Sequence, residues 1–176
     1  MIHIKVRRPT VDDRGELFEF FKTVVEDTFI KEGIEGLVGD LKEEIEFKKQ
    51  YLENDLDSNG KLRYFLAAED RGCIVGTIEY GPASDLICTC TNGEYENLYE
   101  LGTVFVRPDY QGQGIGNLLL NSMTQVLRDK GINQFCIDSG YSNAQKIWRK
   151  KFGEPDYFIK DYWGEDQHHL IWKINL

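Results

Sequence analysis

Val104-Phe105-Val106-Arg107-Pro108-Asp109-Tyr110-Gln111-Gly112-Gln113-Gly114-Ile115-Gly116-Asn117-Leu118-Leu119-Leu120 is the stretch from which the rest of the chain can be read. An apolar strand ends at a proline, glycines then stand at every second position, and a helix follows. The apolar face of that helix carries Ile115, Leu119, Met123 and Val126. Successive glycines let the backbone turn sharply and bring its N–H groups close to a ligand. The helix adds its unpaired N–H groups and the positive end of its dipole. Together these predict an anion site that needs neither Lys nor Arg. A plain strand–helix turn needs one glycine at most, so the three glycines carry an entropic cost that a bound ligand accounts for.

The type of anion is narrowed by what is missing. A phosphate-binding P-loop requires Gly-Lys-Ser/Thr, which is absent. A dinucleotide fingerprint requires G-x-G-x-x-G directly after the strand. Here Gly112, Gly114 and Gly116 give G-x-G-x-G, and Asn117 takes the third fingerprint position. Asp138 closes the next strand about where a ribose-binding acid would lie. The glycines nevertheless come late in the chain, with too few residues after them to complete a doubly wound sheet. A dinucleotide domain is therefore the weaker alternative.

Working outward, residues 2–8 alternate as a first strand, and Pro9-Thr10-Val11-Asp12-Asp13 forms a turn able to cap a helix. Leu17, Phe18, Phe21, Val24, Val25 and Phe29 recur at helical spacing over 13–30. Leu41, Ile45, Phe47 and Leu52 mark a second, strongly charged helix over 37–55, ended by the turn cluster Asp57-Ser58-Asn59-Gly60. Residues 63–69 and 73–80, split by Asp70-Arg71-Gly72, form a β-hairpin. Residues 82–97 lack periodicity and are predicted to be a mobile loop. Strand 99–106, helix 114–130, strand 133–138, helix 142–151 and a strand pair, 156–163 with 167–175, complete the chain. This order predicts one α/β domain, residues 1–176, with a mixed sheet.

Composition bounds the function. The 176 residues are 41% hydrophobic and 29% charged, a globular balance large enough for a core without a disulfide or metal staple. A formal net charge of −9 argues against nucleic acid as a partner, because that affinity rests on neutralising many phosphates. It does not argue against one phosphorylated ligand held by backbone amides. No apolar run approaches the ~18 residues of a membrane span. The N-terminus reads as a strand rather than a signal peptide, so a cytoplasmic protein without membrane association is expected. Of the four cysteines, Cys73 and Cys136 sit in apolar strand runs and are expected to be core thiols. Cys88 and Cys90 lack a second Cys or His pair at zinc spacing, and His168 and His169 would face opposite sides of a strand, so no metal is expected.

Read as Gln111-x-x-Gly114-x-Gly116, the opening stretch resembles the coenzyme A signature of the GNAT superfamily of acyl-CoA N-acyltransferases. Val106-Arg107-Pro108 matches the V-x-P before that signature. A second family segment resembles Asn143-Ala144-Gln145-Lys146-Ile147-Trp148 followed by Phe152-Gly153. The resemblance covers nearly the whole chain. It implies a mixed, mostly antiparallel sheet whose central strands splay apart, with helices on both faces. It also implies acetyl-CoA as co-substrate. Its pantetheine arm would lie along Val104, Phe105 and Val106 as an added strand, meeting Asn143 from the other side. Its pyrophosphate would sit on the amides of Gln111, Gly112, Gln113, Gly114, Ile115, Gly116 and Asn117. A backbone N–H near Val104 would polarise the thioester carbonyl.

The implied reaction is direct attack of an amine on the thioester, with the CoA thiolate leaving. Glu100, eleven residues before Gln111, matches the general-base position of the histone-acetyltransferase branch, and Glu79 is a rival base. Trp148 stands where the family usually has a Tyr acid, and an indole N–H is not a usable acid. Tyr141 is the stand-in candidate, and Trp148 reads as packing. Acids along the first helices, the 82–97 segment and the last turn (Glu32, Glu35, Asp40, Glu43, Glu44, Asp85, Glu94, Glu96, Asp161, Glu165 and Asp166) suit a cationic amine or plain solubility. Tyr95, Tyr99, Tyr157, Tyr162 and Trp163 suit a cleft or the core. The expectation is an N-acetyltransferase acting on a primary amine of a small molecule or peptide. The alternative is a CoA-binding sensor of weak catalysis. A homodimer is the common assembly that the resemblance implies.

Overall fold

In a computed structural model that describes residues 3–176, the chain runs β1 (Ile4–Arg7), α1 (Arg14–Lys31), α2 (Val38–Ser58), β2 (Tyr64–Asp70), β3 (Cys73–Pro82), α3 (Asp85–Cys90), β4 (Tyr99–Val106), α4 (Ile115–Asp129), β5 (Gln134–Ser139), α5 (Ser142–Phe152), β6 (Tyr157–Gly164) and β7 (Gln167–Asn175). Ile2, the start of the first predicted strand, lies outside the described residues. The hydrogen-bonded strand order is β1-β2-β3-β4-β5-β7-β6. The pairings β1–β2, β2–β3, β5–β7 and β6–β7 are antiparallel and β4–β5 is parallel. The mixed, mostly antiparallel sheet is thus the one expected. No described helix is long and apolar enough to cross a membrane.

Contacts divide the chain into two compact units. The first holds the chain through Tyr80 together with Thr103–Leu127. Its core joins Leu17, Phe20, Phe21 and Val24 of α1 to Leu52 of α2, Phe65 of β2 and Ile74 of β3. The i, i+3, i+4 spacing on α1 puts these side chains on one face, which explains why this helix was legible. Arg8 grips the buried Asp55 of α2 with both terminal guanidinium nitrogens, and the same carboxylate takes the Phe65 N–H, tying α2 to the sheet.

A register shift against β2 leaves Val75 without its own partner, since Ala68 faces Gly76 and Glu69 faces Ile74. Ile74 packs toward α1 and α2, whereas a Cβ on Gly76 would lie 2.9 Å from Leu119 and 3.1 Å from Ile115, both on α4. Helices therefore cover both faces, and Gly76 lets the first turn of α4 settle directly on β3.

The second unit holds Gly81–Gly102 and Arg128–Leu176. Here the parallel pairing of β4 with β5 sets Tyr99 opposite Phe135 and Glu100 opposite Cys136. Ile87, Tyr95, Cys136 and Ile171 form its buried cluster.

Two expectations need correction. Residues 82–97 are not a mobile loop: they contain α3. The Ser84 hydroxyl caps its N-terminus by accepting the Ile87 N–H, Ile87 is fully buried, and the Thr91 hydroxyl donates to the Ile87 carbonyl. Six helical residues are too few to display a period. Cys73 is exposed rather than a core thiol, because it opens β3 directly after the Arg71-Gly72 turn, while Cys136 is buried as expected.

Candidate active site

The glycine turn begins where β4 ends. Pro108–Tyr110 make one 3-10 turn and Gln111 is extended. Gly112 and Gly114 take left-handed backbone angles, φ 73° and 85°, which cost an L side chain on the order of 1–2 kcal/mol. The helical ladder of α4 starts with the Leu118 N–H bonding the Gly114 carbonyl. The N–H groups of Ile115, Gly116 and Asn117 precede it and project from the helix start. Gly116 differs from expectation. It lies within α4, and a Cβ there would meet Val106 at an ordinary 4.0 Å, so two glycines rather than three shape the turn.

Side chains brace this turn from within. Gln111 Nε2 donates to the Val106 carbonyl at 3.0 Å, and Gln113 Nε2 donates to the Asp109 carbonyl at 3.1 Å. Arg107 holds Asp109 through two bonds, and the Tyr110 hydroxyl donates to Asp70 at 2.9 Å. Lys31, at the end of α1, donates to Gln111 Oε1 at 2.8 Å while paired with Asp27 at 2.6 Å. Sequence reasoning missed this cation because it comes from eighty residues away.

Within β4, Thr103 is 4% exposed and has φ 48°. A β-branched residue in that region is a backbone outlier. The strand count agrees. From Val75 to Ala83 the chain advances eight residues, while from Leu98 to Arg107 it advances nine, although Arg107 bonds Val75 and Ala83 bonds Leu98. β4 therefore carries one extra residue, a β-bulge. The Thr103 carbonyl accepts the Thr77 hydroxyl at 2.9 Å. No cis peptide occurs among the described residues, and the C=O and N–H of a trans peptide point in opposite directions. The Val104 N–H is thus turned away from Thr77 and β3.

Glu79, the rival base, is 1% exposed. Its two oxygens take Arg63 at 2.7 Å and the Thr103 hydroxyl at 3.3 Å. Burial pushes its carboxyl above the ordinary carboxylate range, against the pull of Arg63 and Lys48. Burial works to lower the Lys48 ammonium, but Glu44 and Glu79 outweigh it and hold it above the usual lysine range.

The other expected site residues belong to the second unit. Glu100 is half-buried on β4, and its Oε2 accepts the Ser84 N–H at 3.0 Å, so the same carboxylate anchors the start of α3. Burial, with Glu100 and Asp138 nearby, pushes the Cys136 thiol far up, which makes it an inert core thiol. Tyr141 caps α5, its N–H donating to the Ser139 hydroxyl at 3.0 Å, and Asn143 is exposed in the first turn of that helix. Trp148 is 7% exposed and stacks on Phe152 at 5.8 Å, a packing role. Tyr95 is core, whereas Tyr99, Tyr162 and Trp163 are exposed.

Asp138, the acid a dinucleotide site would need, is instead engaged by His169 Nε2 at 2.7 Å. Trp163 Nε1 donates to His169 Nδ1 at 3.1 Å, which puts the imidazole proton on Nε2. Asp161, Asp166 and His168 bring potential metal-ligand atoms together at the β6–β7 turn. There His168 Nδ1 takes the Asp161 N–H and Asp161 Oδ1 takes the Asp166 N–H, binding these groups into the turn.

The acetyltransferase (GNAT) family matches residues 34–153, more than half of the chain and including the whole glycine turn. The chain belongs to the GNAT acetyltransferase family. One relative, the thialysine N-epsilon-acetyltransferase of Sus scrofa, is 35% identical over 79 residues, covering 45% of this chain and 39% of that protein. An uncharacterized N-acetyltransferase of Methanocaldococcus jannaschii is 23% identical over 121 residues, covering 66% of this chain and 54% of that protein. The matched segments thus span about 39% and 54% of these curated relatives. Among solved structures, the ribosomal-protein-alanine N-acetyltransferase of Brucella melitensis superposes with TM-score 0.70 at 25% identity, covering 98% of this chain and 99% of that one. The PaiA N-acetyltransferase of Thermoplasma acidophilum, solved with coenzyme A, shares the fold with TM-score 0.71 at 20% identity over 99% of both chains.

Proposed function

We propose that this GNAT protein is an acetyl-CoA-dependent N-acetyltransferase that acts on a primary amine by direct attack, with residues 1–176 serving as one such domain. The observation that carries this reading is a single strand–turn–helix segment, Thr103–Leu127. It joins a strand peptide whose N–H is turned away from its neighbour to a left-handed glycine turn at a helix start. The first suits a developing oxyanion and the second an anionic diphosphate.

The amides of Gln111, Gly112, Gln113, Gly114, Ile115, Gly116 and Asn117 are assigned to the pyrophosphate. The open space in front of the turn fits that ligand, since a Cβ on Gly112 or Gly114 would meet nothing within 4 Å, and the Lys31 ammonium on Gln111 adds positive charge beside it. The backbone of Val104, Phe105 and Val106 is assigned to the pantetheine arm, with Asn143 as a further contact. Acetyl-CoA supplies an acetyl thioester, a carbonyl already activated for attack. The amine nitrogen bonds to the carbonyl carbon, and the Val104 N–H meets the charge that grows on its oxygen. The carbon–sulfur bond then breaks. Glu100 accepts the amine proton. Tyr141 is assigned as donor to the thiolate, which at a thiol pKa of ~8.5 also leaves unaided.

Exposed Glu35, Asp40 and Glu43 around the start of α2 favour a cationic acceptor, and the thialysine-acetylating relative supports a small-molecule amine. A sensor of low turnover is the second reading, favoured by Trp148 standing packed where a Tyr acid is expected.

Calorimetry with CoA and with NAD, followed by a thiol-release assay over a panel of small amines and peptide N-termini, tests both. Binding of CoA with thiol release on at least one amine supports the enzyme. Binding without turnover leaves the sensor. Binding of NAD and not CoA refutes both.

A further inference from the structure

The buried acid that the proposed reaction does not use is Glu79, and its surroundings give it a task. Thr103 holds a backbone conformation that a threonine in a strand does not adopt unaided, so something must hold it there. Two residues of β3 do so. Thr77 and Glu79 are two apart and hence on one face of the strand; the Thr77 hydroxyl donates to the Thr103 carbonyl at 2.9 Å, and Glu79 accepts the Thr103 hydroxyl at 3.3 Å. Glu79 is in turn fixed by Arg63 at 2.7 Å, and Arg63 lies over the Tyr51 ring at 3.8 Å. One carboxylate oxygen bonds Arg63 and the other bonds Thr103, and the Lys48 charge also acts on the group, so both oxygens are engaged. At 1% exposure it is closed to any acceptor amine. A buried ion pair is weak evidence for stability, and in some proteins such pairs fix a geometry instead.

We propose that the Arg63–Glu79 pair is a positioning device: it locks the β4 bulge at Thr103 and thereby aims the Val104 N–H at the reacting carbonyl. The proposal rests on the acetyltransferase reading for its catalytic consequence. The lock itself can be read without any reaction. The bulge residue sets the plane of the next peptide, so loosening Thr103 swings the Val104 N–H. A misaimed donor weakens the transition state more than it weakens coenzyme binding.

The test compares Thr103→Ser, which keeps the hydroxyl, with Thr103→Val, which keeps the shape and loses it, alongside Glu79→Gln and the Glu79→Gln/Thr103→Val double variant. Thr103→Val and Glu79→Gln are each expected to lower kcat by roughly 10- to 100-fold. CoA affinity should change by less than about threefold, a split that a merely structural role would not produce. Thr103→Ser is expected to restore most of kcat, and the double variant to be no worse than the poorer single one. In the ligand-free protein, the NMR amide shift of Val104, which reports the orientation of the Thr103–Val104 peptide, should move in Thr103→Val and stay close to its native value in Thr103→Ser. Equal kcat for the Val and Ser variants, or an unchanged Val104 amide shift in Thr103→Val, overturns the lock while leaving the acetyltransferase reading intact. Absence of CoA binding by the unaltered protein overturns that reading, and with it the catalytic role given to the lock.

Discussion

Replacing Gly114 by Ala separates the conformational from the ligand-binding demands on the turn. At φ 85° an alanine is disfavoured by about 1–2 kcal/mol, part of which is offset because alanine also restricts the unfolded chain. The added Cβ would meet nothing within 4 Å, so there is no steric component in the unliganded protein. The net loss should be near 1 kcal/mol, or roughly 2–4 °C in the unfolding midpoint for a chain of this size. The effect on CoA should be larger. A backbone that relaxes toward negative φ withdraws at least one amide from the pyrophosphate, and a hydrogen bond to a charged group is worth about 1.5–3 kcal/mol, or roughly 10- to 100-fold in Kd. Gly116→Ala is the internal control. It is helical with room at 4.0 Å, so its midpoint should stay level or rise slightly. Thermal unfolding with and without CoA, together with titration calorimetry, reads both quantities. A Gly114→Ala variant with an unchanged midpoint and unchanged CoA affinity would refute the account of the turn.

Three further outcomes follow from the packing and charges. Gly76→Ala places a Cβ 2.9 Å from Leu119 and 3.1 Å from both Ile115 and the Phe105 carbonyl, so overpacking should cost about 1–3 kcal/mol, seen as a lowered midpoint in thermal unfolding. Arg63→Met leaves the buried Glu79 without its partner and should destabilise by roughly 3–5 kcal/mol at neutral pH. Because burial already raises the folded Glu79 pKa, the folded state binds more protons than the unfolded one. Stability in that variant should therefore be fullest below the ordinary carboxylate range and fall as pH rises through the folded value, as denaturant titrations at pH 5 and 7.5 would read. Glu100→Gln retains an acceptor for the Ser84 N–H, so α3 should stay in place while kcat drops. An unchanged kcat would reduce Glu100 to an anchor of that helix.

The strand, turn and helix around Gly112 and Gly114 were legible because everything they need is local. Left-handed backbone calls for glycine, and the amphipathic period of α4 follows at once. α1 and α2 were legible for the same reason, as was the β2–β3 hairpin. The same local rules failed at α3, where six residues are shorter than two helical turns and the stabilising contacts come from Glu100 and the buried Ile87. They failed at Cys73 because the end of a strand run can lie in solvent however apolar its neighbours are.

By itself the sequence determined the order of the elements other than α3, the amide-rich turn and the resemblance that the family match then bore out. Each depends on neighbours in the chain or on residue types at fixed spacing. The tertiary structure decided the rest, because burial and partnership are properties of distant residues brought together. The lone Gly102 is a local hint of a bulge, but only the tertiary structure puts it at Thr103. The strain there is sustained only because β3 presents Thr77 and Glu79 to it, and Glu79 is itself held by an arginine sixteen residues earlier. Likewise, Lys31 reaches Gln111 only once α1 has folded.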